Sequence, residues 1–421
     1  MRNKLTKMVA LLLAVLLVAG VAGSVGCGGN GASKPSNEVL VGILADFTGP
    51  AALAVKAYVQ GVQDYFRYAE EQDMIPEGLT IRTITYDQRS DPSRVLPGYF
   101  WLKGQGMKTL FVVSPTDQSI LEDKVATDKM PTAGAHCSEA NPGAPYIYGW
   151  WPTQASEGEA EMQWIMETWD YAGKGRPPKV GYQTWTLPSG GFFQTGIDLV
   201  MQANPGKFDW KGTNKSPLST SSWAYEVGRF KDCDYIVVTM VGSTLASFVS
   251  EARARGYTGS FITGTSGFPG YFELVLNQLS QQQLYGFYFV MASPFYNDDL
   301  PVVHQFLEAY AIYRPEVTYK HLTEGDTGPL GGWATAMFIV DALKRVVEAE
   351  GASNVTGESL AEALGATNMT VEGFSPDNTW RFPEEYHSAI RAYKTFEYKT
   401  AEGEWKSISG WFVPPSLEPY Q

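Results

Sequence analysis

The residues of this chain that could bind a small molecule stand directly after short apolar runs. The run Thr109–Val113 is followed by Ser114–Ser119, and a second strand-like run ends in a histidine, a cysteine and a serine. Hydroxyl, amide, carboxyl and imidazole groups at the carboxyl end of a strand can exchange hydrogen bonds with a ligand, and a helix that starts there adds free N–H groups. The candidate binding residues at these two places are Asp117, Gln118, Ser119, His136, Cys137 and Ser138.

Two of these residues have more than one interpretation from sequence alone. Ser114 or Asp117 could simply cap the helix that follows, which is as plausible for either one as contact with a ligand. If Asp117 faces a cleft, its carboxylate disfavours a ligand carboxylate and favours a cation or a neutral donor. His136 is either a surface residue or a donor that titrates near neutral pH.

Catalytic and metal-binding patterns are absent from the sequence. The chain has three cysteines and four histidines, none at zinc-ligand spacing to another. It also lacks a Gly-x-Ser-x-Gly elbow, a His-Glu-x-x-His motif, a Walker loop, and a Gly-x-Gly-x-x-Gly after a strand. We therefore predict no enzymatic activity, no metal and no cofactor.

Composition limits the class of partner. The 421 residues include 45 Asp and Glu against 32 Lys and Arg, a formal net charge of −13. Nucleic acid is an unsuitable partner for such a chain, because its phosphates need a basic surface. With 44% apolar residues the chain can build sizeable cores, and its length suits two domains.

The N-terminus has the order of a secretory signal. Residues 1–26 contain a basic start, a short apolar stretch and a run of small residues. Ser24-Val25-Gly26-Cys27 resembles a bacterial lipobox, which predicts a lipid-modified Cys27 after cleavage. Residues 27–38 are rich in Gly, Ser and Asn and are interpreted as a flexible tether. The alternative is a plain secreted protein in which Cys27 is incidental.

The remaining sequence alternates strand-like and helix-like segments. Apolar runs of strand length are separated by stretches with helical spacing, which predicts βαβ units and mainly parallel sheets. The alternation restarts near the middle of the chain, so two α/β lobes are expected. The predicted strands are 39–44, 79–86, 109–113, 179–183, 234–239 and 261–263, with a terminal hairpin over 391–398 and 405–408.

Several short motifs occur in an order that carries a family resemblance. They are Thr48-Gly49-Pro50, Tyr86-Asp87 with Ser90-Asp91-Pro92, Val112-Val113-Ser114-Pro115, Pro131 with His136-Cys137-Ser138, Pro152, Ala252–Tyr257 and Tyr398–Gly410. In this order, behind a lipobox, the chain resembles the branched-chain amino acid (Leu/Ile/Val) type of solute-binding protein that feeds ABC transporters. The resemblance covers about residues 39–411.

The resemblance implies the type I periplasmic binding protein fold. Two Rossmann-like lobes are then joined by three hinge crossovers, expected near 151–152, 263–267 and 379–387. Lobe I would comprise residues 39–151 and 265–380, and lobe II would comprise residues 152–264 and 381–421. Cys137 and Cys233 are separately expected to be two free or buried thiols, because a disulfide between two lobes would oppose hinge closure.

The resemblance implies that a serine and backbone amides at residues 117–119 bind a ligand carboxylate, with Ser138 completing the site. It also implies binding residues outside these first loops. They are Trp151, Trp185, Ser189, Gly242, Ser243 and Thr265. Amino-acid binders of the family place an aromatic residue and an acid in the second lobe, where this chain has Ser189 and Thr244. Without that acid an α-ammonium group would be desolvated and unpaired, so an ordinary α-amino acid is a poor ligand.

The expected function is that of an extracytoplasmic solute-binding protein. A monomer, lipid-anchored through Cys27, would capture a small polar or amphipathic ligand, such as an amino-acid-like, aromatic or carboxylic compound, and deliver it to an ABC permease. The alternative is a ligand-sensing receptor module of the same fold without a transport role, and a secreted hydrolase ranks below it. Nucleic acid is not an expected partner.

Overall fold

The computed structural model describes residues 37–217, 219–240, 242–265, 275–316 and 328–421. The proposed signal, Cys27 and most of the tether therefore lie outside the described residues. None of the helices in the described ranges is long and apolar enough to cross a bilayer.

The elements alternate along the chain as the sequence pattern predicts. The strands are β1 (Glu38–Ala45), β2 (Thr80–Asp87), β3 (Thr109–Val112), β4 (Thr132–His136), β5 (Ile147–Trp151), β6 (Lys179–Trp185), β7 (Asp209–Ser216), β8 (Tyr235–Val238), β9 (Ser260–Thr263), β10 (Phe287–Met291), β11 (Asn368–Thr370), β12 (Thr379–Arg381), β13 (Lys394–Lys399) and β14 (Glu404–Ser407). The α-helices are α1 (Ala52–Glu71), α2 (Val95–Gly104), α3 (Pro115–Asp128), α4 (Gln154–Thr168), α5 (Tyr171–Lys174), α6 (Pro188–Ala203), α7 (Ala224–Phe230), α8 (Gly242–Ala254), α9 (Pro301–Tyr313), α10 (Gly328–Glu350) and α11 (Gly357–Gly365).

The first sheet has five described strands in the order β2-β1-β3-β4-β5, all parallel. Strands β3, β4 and β5 are buried throughout, because helices cover both faces of the sheet. Their carboxyl ends lie at one edge of the sheet, so the loops that follow them come together there.

Helices α1 and α10 pack with their backbones in close approach on one face of the first sheet. A Cβ atom added to Gly61 would lie 1.9 Å from the carbonyl oxygen of Pro329, and one added to Gly332 would lie 1.9 Å from that of Tyr58. Glycine at these two positions therefore sets the distance between the helices. Beside this contact the ring of Trp333 packs edge-on against Tyr65, with centroids 5.0 Å apart.

The second sheet has seven described strands in the order β14-β13-β10-β9-β8-β6-β7. Strands β6 to β10 are parallel to one another, while β13 pairs antiparallel with both β10 and β14. The terminal hairpin predicted from the sequence is thus an extension of this sheet. Its rings form a core, in which Phe289 of β10 stacks on Phe396 of β13 at 4.8 Å.

The chain changes lobes later than the sequence boundaries predict at two of the three crossovers. The first lies at Pro152-Thr153, between β5 and α4. The predicted boundary at 264/265 is wrong, because β10 pairs with β9 and keeps the chain in the second sheet to Met291. The boundary at 380/381 also moves, since Ser388 pairs with Gly149 beside β5 before β13 starts at Lys394.

Hydrogen bonds tie the first crossover to the third. The backbone N–H of Thr153 donates to the Tyr386 hydroxyl at 3.0 Å, and the hydroxyls of Ser156 and Tyr393 lie 2.9 Å apart. Arg391 is buried and donates to the carbonyl oxygens of Arg381, Ser388 and Ala389. The linking strands are therefore fixed side by side at the junction of the lobes.

Candidate ligand-binding site

A cavity of about 330 Å³ lies between the lobes, at the carboxyl ends of the strands of both sheets. Its first wall comes from the ends of β1, β3, β4 and β5 and from the start of α1 and α3. Its second wall comes from the end of β6, the start of α6 and the residue after β9. The lining residues are Ala45, Asp46, Pro50, Ala51, Ala54, Val55, Tyr58, Gln88, Ser90, Pro92, Val113, Ser114, Pro115, Thr116, Asp117, Ala135, His136, Trp151, Gln154, Trp185, Leu187, Pro188, Ser189, Thr265 and Gly328.

Asp117 lies in the first turn of α3 and faces this cavity. Ser114 is the N-cap of the helix, and its hydroxyl accepts the Asp117 N–H at 3.3 Å. Ser114 therefore caps the helix, while Asp117 lines the cleft. The Asp117 side chain is buried, and its Oδ2 atom has no hydrogen-bond partner among the described residues. Burial raises the pKa of this carboxyl to about 7, and the negative charge of Asp46 adds to the increase.

Asp46, the other acid in the lining, is engaged in the structure of its own turn. Its carboxylate accepts the backbone N–H groups of Gly49 and Ala51 and the hydroxyl of Ser90. These bonds hold the turn between β1 and α1 against the loop after β2. Asp46 thus has a structural role that Asp117 lacks.

His136 is buried at the end of β4, which differs from both interpretations made from the sequence. Its Nδ1–H donates to the carbonyl oxygen of Pro152 at 2.6 Å, and its ring lies 5.5 Å from that of Trp151. Burial lowers the pKa of the imidazole to about 4. The ring is therefore neutral near pH 7, and it links the cavity to the first crossover rather than titrating there.

Trp185 and Ser189 form a unit in the second wall. The indole Nε1–H of Trp185 donates to the Ser189 hydroxyl at 2.9 Å, across the turn between β6 and α6. This bond fixes the ring beside Leu187 and Pro188, which also line the cavity. Thr265 completes this wall, with its Oγ1 atom 3.5 Å from the carbonyl oxygen of Val290.

Half of the predicted binding residues line the cavity and half do not. Those in the lining are Asp117, His136, Trp151, Trp185, Ser189 and Thr265. Those outside it are Gln118, Ser119, Cys137, Ser138, Gly242 and Ser243. The residues in the second group belong to the right loops, but their side chains point elsewhere or make other contacts.

The residues outside the lining have identifiable structural roles. Gln118 donates to the His136 carbonyl at 2.7 Å, and Ser119 donates to the Pro115 carbonyl one turn earlier at 3.1 Å. Ser138 donates to Glu122 at 2.7 Å, on the far side of α3. A carboxylate site built from Ser119 and Ser138 is therefore not supported by their geometry.

The cysteine and the start of α8 complete this group. Cys137 is buried, and both it and Cys233 are unpaired in the described structure. Gly242 opens α8 in a left-handed conformation with φ 56°, while Ser243 is exposed on its first turn.

Sequence reasoning missed the contribution of α1. Ala51, Ala54, Val55 and Tyr58 recur at helical spacing and line the first wall. Helical spacing of apolar residues predicts only a helix with a buried side. Because small and apolar residues serve a core and an apolar ligand equally well, this signal could not identify a wall of the site.

No lysine or arginine occurs among the described residues that line the cavity. Because His136 is neutral, none of the described lining residues supplies a positive charge near pH 7. The rest of the lining is largely apolar and aromatic. The cavity therefore suits a molecule with an apolar body and at least one hydrogen-bond donor.

A family model described as a periplasmic binding protein matches residues 38–404 of this chain. The chain belongs to the periplasmic binding protein family. This periplasmic binding protein has the type I fold, with two α/β lobes and a cleft between them. The family consists of proteins that bind small molecules outside the cytoplasm. No curated protein matches the sequence.

Solved structures of ABC transporter binding proteins share this fold at low sequence identity. A branched-chain amino acid ABC transporter structure from Thermus thermophilus with bound valine has a TM-score of 0.75 at 16% identity, over 91% of this chain and 98% of that one. A fatty acid ABC transporter substrate-binding protein from Thermomonospora curvata has a TM-score of 0.74 at 19% identity, over 91% and 95%.

A third structure carries an aromatic acid. The solute-binding protein of an ABC transporter from R. palustris, in complex with benzoate, has a TM-score of 0.71 at 15% identity, over 90% of this chain and 97% of that one. The three proteins bind chemically different molecules in one fold. The fold therefore does not determine the ligand of this periplasmic binding protein, which depends on the residues that line its cavity.

Proposed function

We propose that this protein is the monomeric solute-binding component of an ABC importer, which captures a small amphipathic molecule between its lobes and delivers it to a permease. The observation that carries the proposal is the cavity of about 330 Å³ lined from both lobes. A site of this size suits a compact organic molecule rather than a macromolecule.

The position of the cavity supports a hinge mechanism. A ligand in contact with Tyr58 and Trp151 on one wall and with Trp185 on the other stabilises the arrangement in which the lobes are close. Its differential affinity for that arrangement is what shifts the equilibrium between open and closed forms. A permease that recognises the closed form then receives loaded protein in preference to empty protein.

Binding and closure are tested together by a thermal-shift screen and small-angle X-ray scattering. The screen covers amino acids, aromatic acids, aromatic amines, amides and polyols. A ligand at 100 times its dissociation constant adds about 2.7 kcal/mol to the free energy of unfolding, so a fitting class raises the melting temperature by several degrees. We expect the same compound to reduce the radius of gyration.

A double variant, Trp151→Ala with Trp185→Ala, tests whether the compound binds in the cavity, because it removes one aromatic residue from each wall. We expect the active compound to lose most of its thermal shift in this variant. Absence of a shift with every class, or binding that leaves the scattering curve unchanged, would contradict the proposal.

We also propose that the mature protein is held at the membrane surface by lipid on Cys27. The support is the order of a basic start, an apolar stretch, small residues and then Cys27, followed by a tether without apolar pattern. Two or three acyl chains bury enough CH₂ groups for stable anchoring without a spanning helix.

Replacing Cys27 with serine should release the protein from the membrane fraction, because serine offers no thiol to acylate. Detergent phase partitioning and intact-mass measurement of the expressed protein check this expectation. Cys137→Ser is the control, since that thiol is buried in the folded lobe, and it should leave the membrane fraction unchanged. A Cys27→Ser protein that stays membrane-bound would disprove the anchor.

A further inference from the structure

We infer that the interlobe cavity is selective for a protonated amine or amidine on an apolar, preferably aromatic, body, and that Asp117 binds the charged group. The inference deepens the proposed function and rests on it. It reverses the charge preference expected of a site that holds a ligand carboxylate at the start of this helix.

The first observation is the difference between the two acids in the lining. Asp46 accepts hydrogen bonds from Gly49 and Ala51 in its own turn and from Ser90, whereas Asp117 presents an oxygen with no partner among the described residues. A buried acceptor without a partner is destabilising in the empty protein. A ligand donor beside Oδ2 of Asp117 would supply the missing hydrogen bond, which favours binding.

The second observation is the absence of a positive partner for an anion. The described lining contains no Lys or Arg, and the buried His136 donates its Nδ1–H to the Pro152 carbonyl. A carboxylate ligand would therefore lie close to Asp117 without a cation to offset the repulsion. A cationic ligand instead forms a charge-assisted hydrogen bond with Asp117, the stronger kind.

The third observation is the aromatic character of the walls. Trp151 and Tyr58 pack edge-to-face at 5.7 Å in the first wall, and Trp185 is fixed by Ser189 in the second. Aromatic faces bind apolar rings and attract cations that lie above them. The same walls therefore suit both parts of the molecule, its ring and its charged group.

The experiment compares two probes that differ mainly in charge, phenethylamine and phenylacetate, by calorimetric titration at pH 8. We expect phenethylamine to bind at least ten-fold more tightly than phenylacetate. Asp117→Asn should weaken phenethylamine by about ten- to a hundred-fold, the range of a lost charged hydrogen bond. The matched control is Asp123→Asn, the same substitution at an exposed site of α3, which should leave both affinities unchanged.

A second measurement on the unsubstituted protein needs no variant. Phenethylamine stays protonated from pH 5.5 to 8.5, so its affinity should rise by about ten-fold over that range as Asp117 ionises. The other titratable groups that line the cavity are Asp46, bonded within its turn, Tyr58, bonded to Thr335, and His136, whose pKa is about 4. Burial raises the pKa of Tyr58 and lowers that of His136, so neither ring changes charge near pH 7.

The outcomes separate this inference from the proposed function. Tighter binding of phenylacetate, with reduction of the radius of gyration, would overturn the amine selectivity and leave solute capture intact. Equal loss of phenethylamine affinity in Asp117→Asn and Asp123→Asn, or an affinity independent of pH, would also overturn it. Failure of every screened class to bind would instead count against solute capture itself.

Discussion

Replacing Asp117 with asparagine should raise the free energy of unfolding of the empty protein by about 4 kcal/mol at pH 8. Burial in the cavity raises the pKa of this carboxyl to about 7 in the folded state, against its ordinary value of 3.8. Each unit of difference corresponds to about 1.4 kcal/mol. The neutral amide avoids the cost of ionising a desolvated group.

The size of this stability difference depends on pH. A carboxyl with a raised pKa binds its proton more tightly in the folded state, so its favourable contribution is complete at pH 3 and is lost as pH rises towards 7. The variant should therefore match the unsubstituted protein near pH 3 to 4. The difference between them should grow through pH 4 to 7 and then stay constant.

Urea denaturation at a series of pH values measures this difference. Asp123→Asn on the exposed face of the same helix serves as the control, and its stability should stay within about 0.5 kcal/mol of the original at every pH. A stability gain for Asp117→Asn that is the same at pH 4 and pH 8 would show that the carboxyl is not desolvated. Loss of stability at pH 8 would show that it has a partner.

Replacing Gly332 with alanine should lower the free energy of unfolding by about 2 to 3 kcal/mol. The new Cβ would lie 1.9 Å from the carbonyl oxygen of Tyr58 and 2.9 Å from the backbone nitrogen of Val62, so α10 and α1 must move apart. Backbone atoms inside a packed helix pair cannot yield as a flexible side chain can. The strain exceeds the gain of about 0.5 to 1 kcal/mol that alanine gives in a helix.

The matched control is Gly228→Ala in α7, where a Cβ meets no atom within 4 Å. That substitution should be neutral or stabilising, since only the helix preference changes. Chemical denaturation of both variants gives the comparison. If Gly332→Ala is as stable as Gly228→Ala, the close contact between α1 and α10 is not a feature of the folded protein.

The two substitutions are expected to change the free energy of unfolding in opposite directions. Gly332 lies in a close contact between two helices, so its replacement lowers stability. Asp117 lowers stability in the empty protein and supplies an acceptor to a ligand. A gain in stability together with a loss of amine binding in Asp117→Asn is the signature of a functional residue, because stability and activity are then opposed at one site.

The local spacing of apolar residues was sufficient to predict the helices and strands named here. The apolar run at residues 39–44 and the helical spacing after Ala51 correspond to β1 and α1, and the terminal alternation corresponds to β13 and β14. These predictions hold because a strand or helix is selected by the burial of its own side chains at period 2 or 3.6. The class of fold follows from their alternation.

The lobe boundaries depended on information that no local pattern contains. Strand β10 could belong to either lobe on composition alone, and only its pairing with β9 and β13 places it in the second sheet. Likewise the segment around Ser388 lies along β5 through a single bridge to Gly149. Strand partners are chosen by long-range contacts, so the crossover positions shift when one pairing is unknown.

The sequence by itself determined the two-lobed α/β architecture and the loops from which the site is built, because strand ends and helix starts are local features. Only the tertiary structure decided which side chains of those loops face the cavity. Asp117 and Ser119 stand two residues apart on α3, and the rotation between them turns the carboxyl into the cleft and the hydroxyl back onto the helix. The burial that raises the pKa of Asp117 likewise exists only in the folded protein.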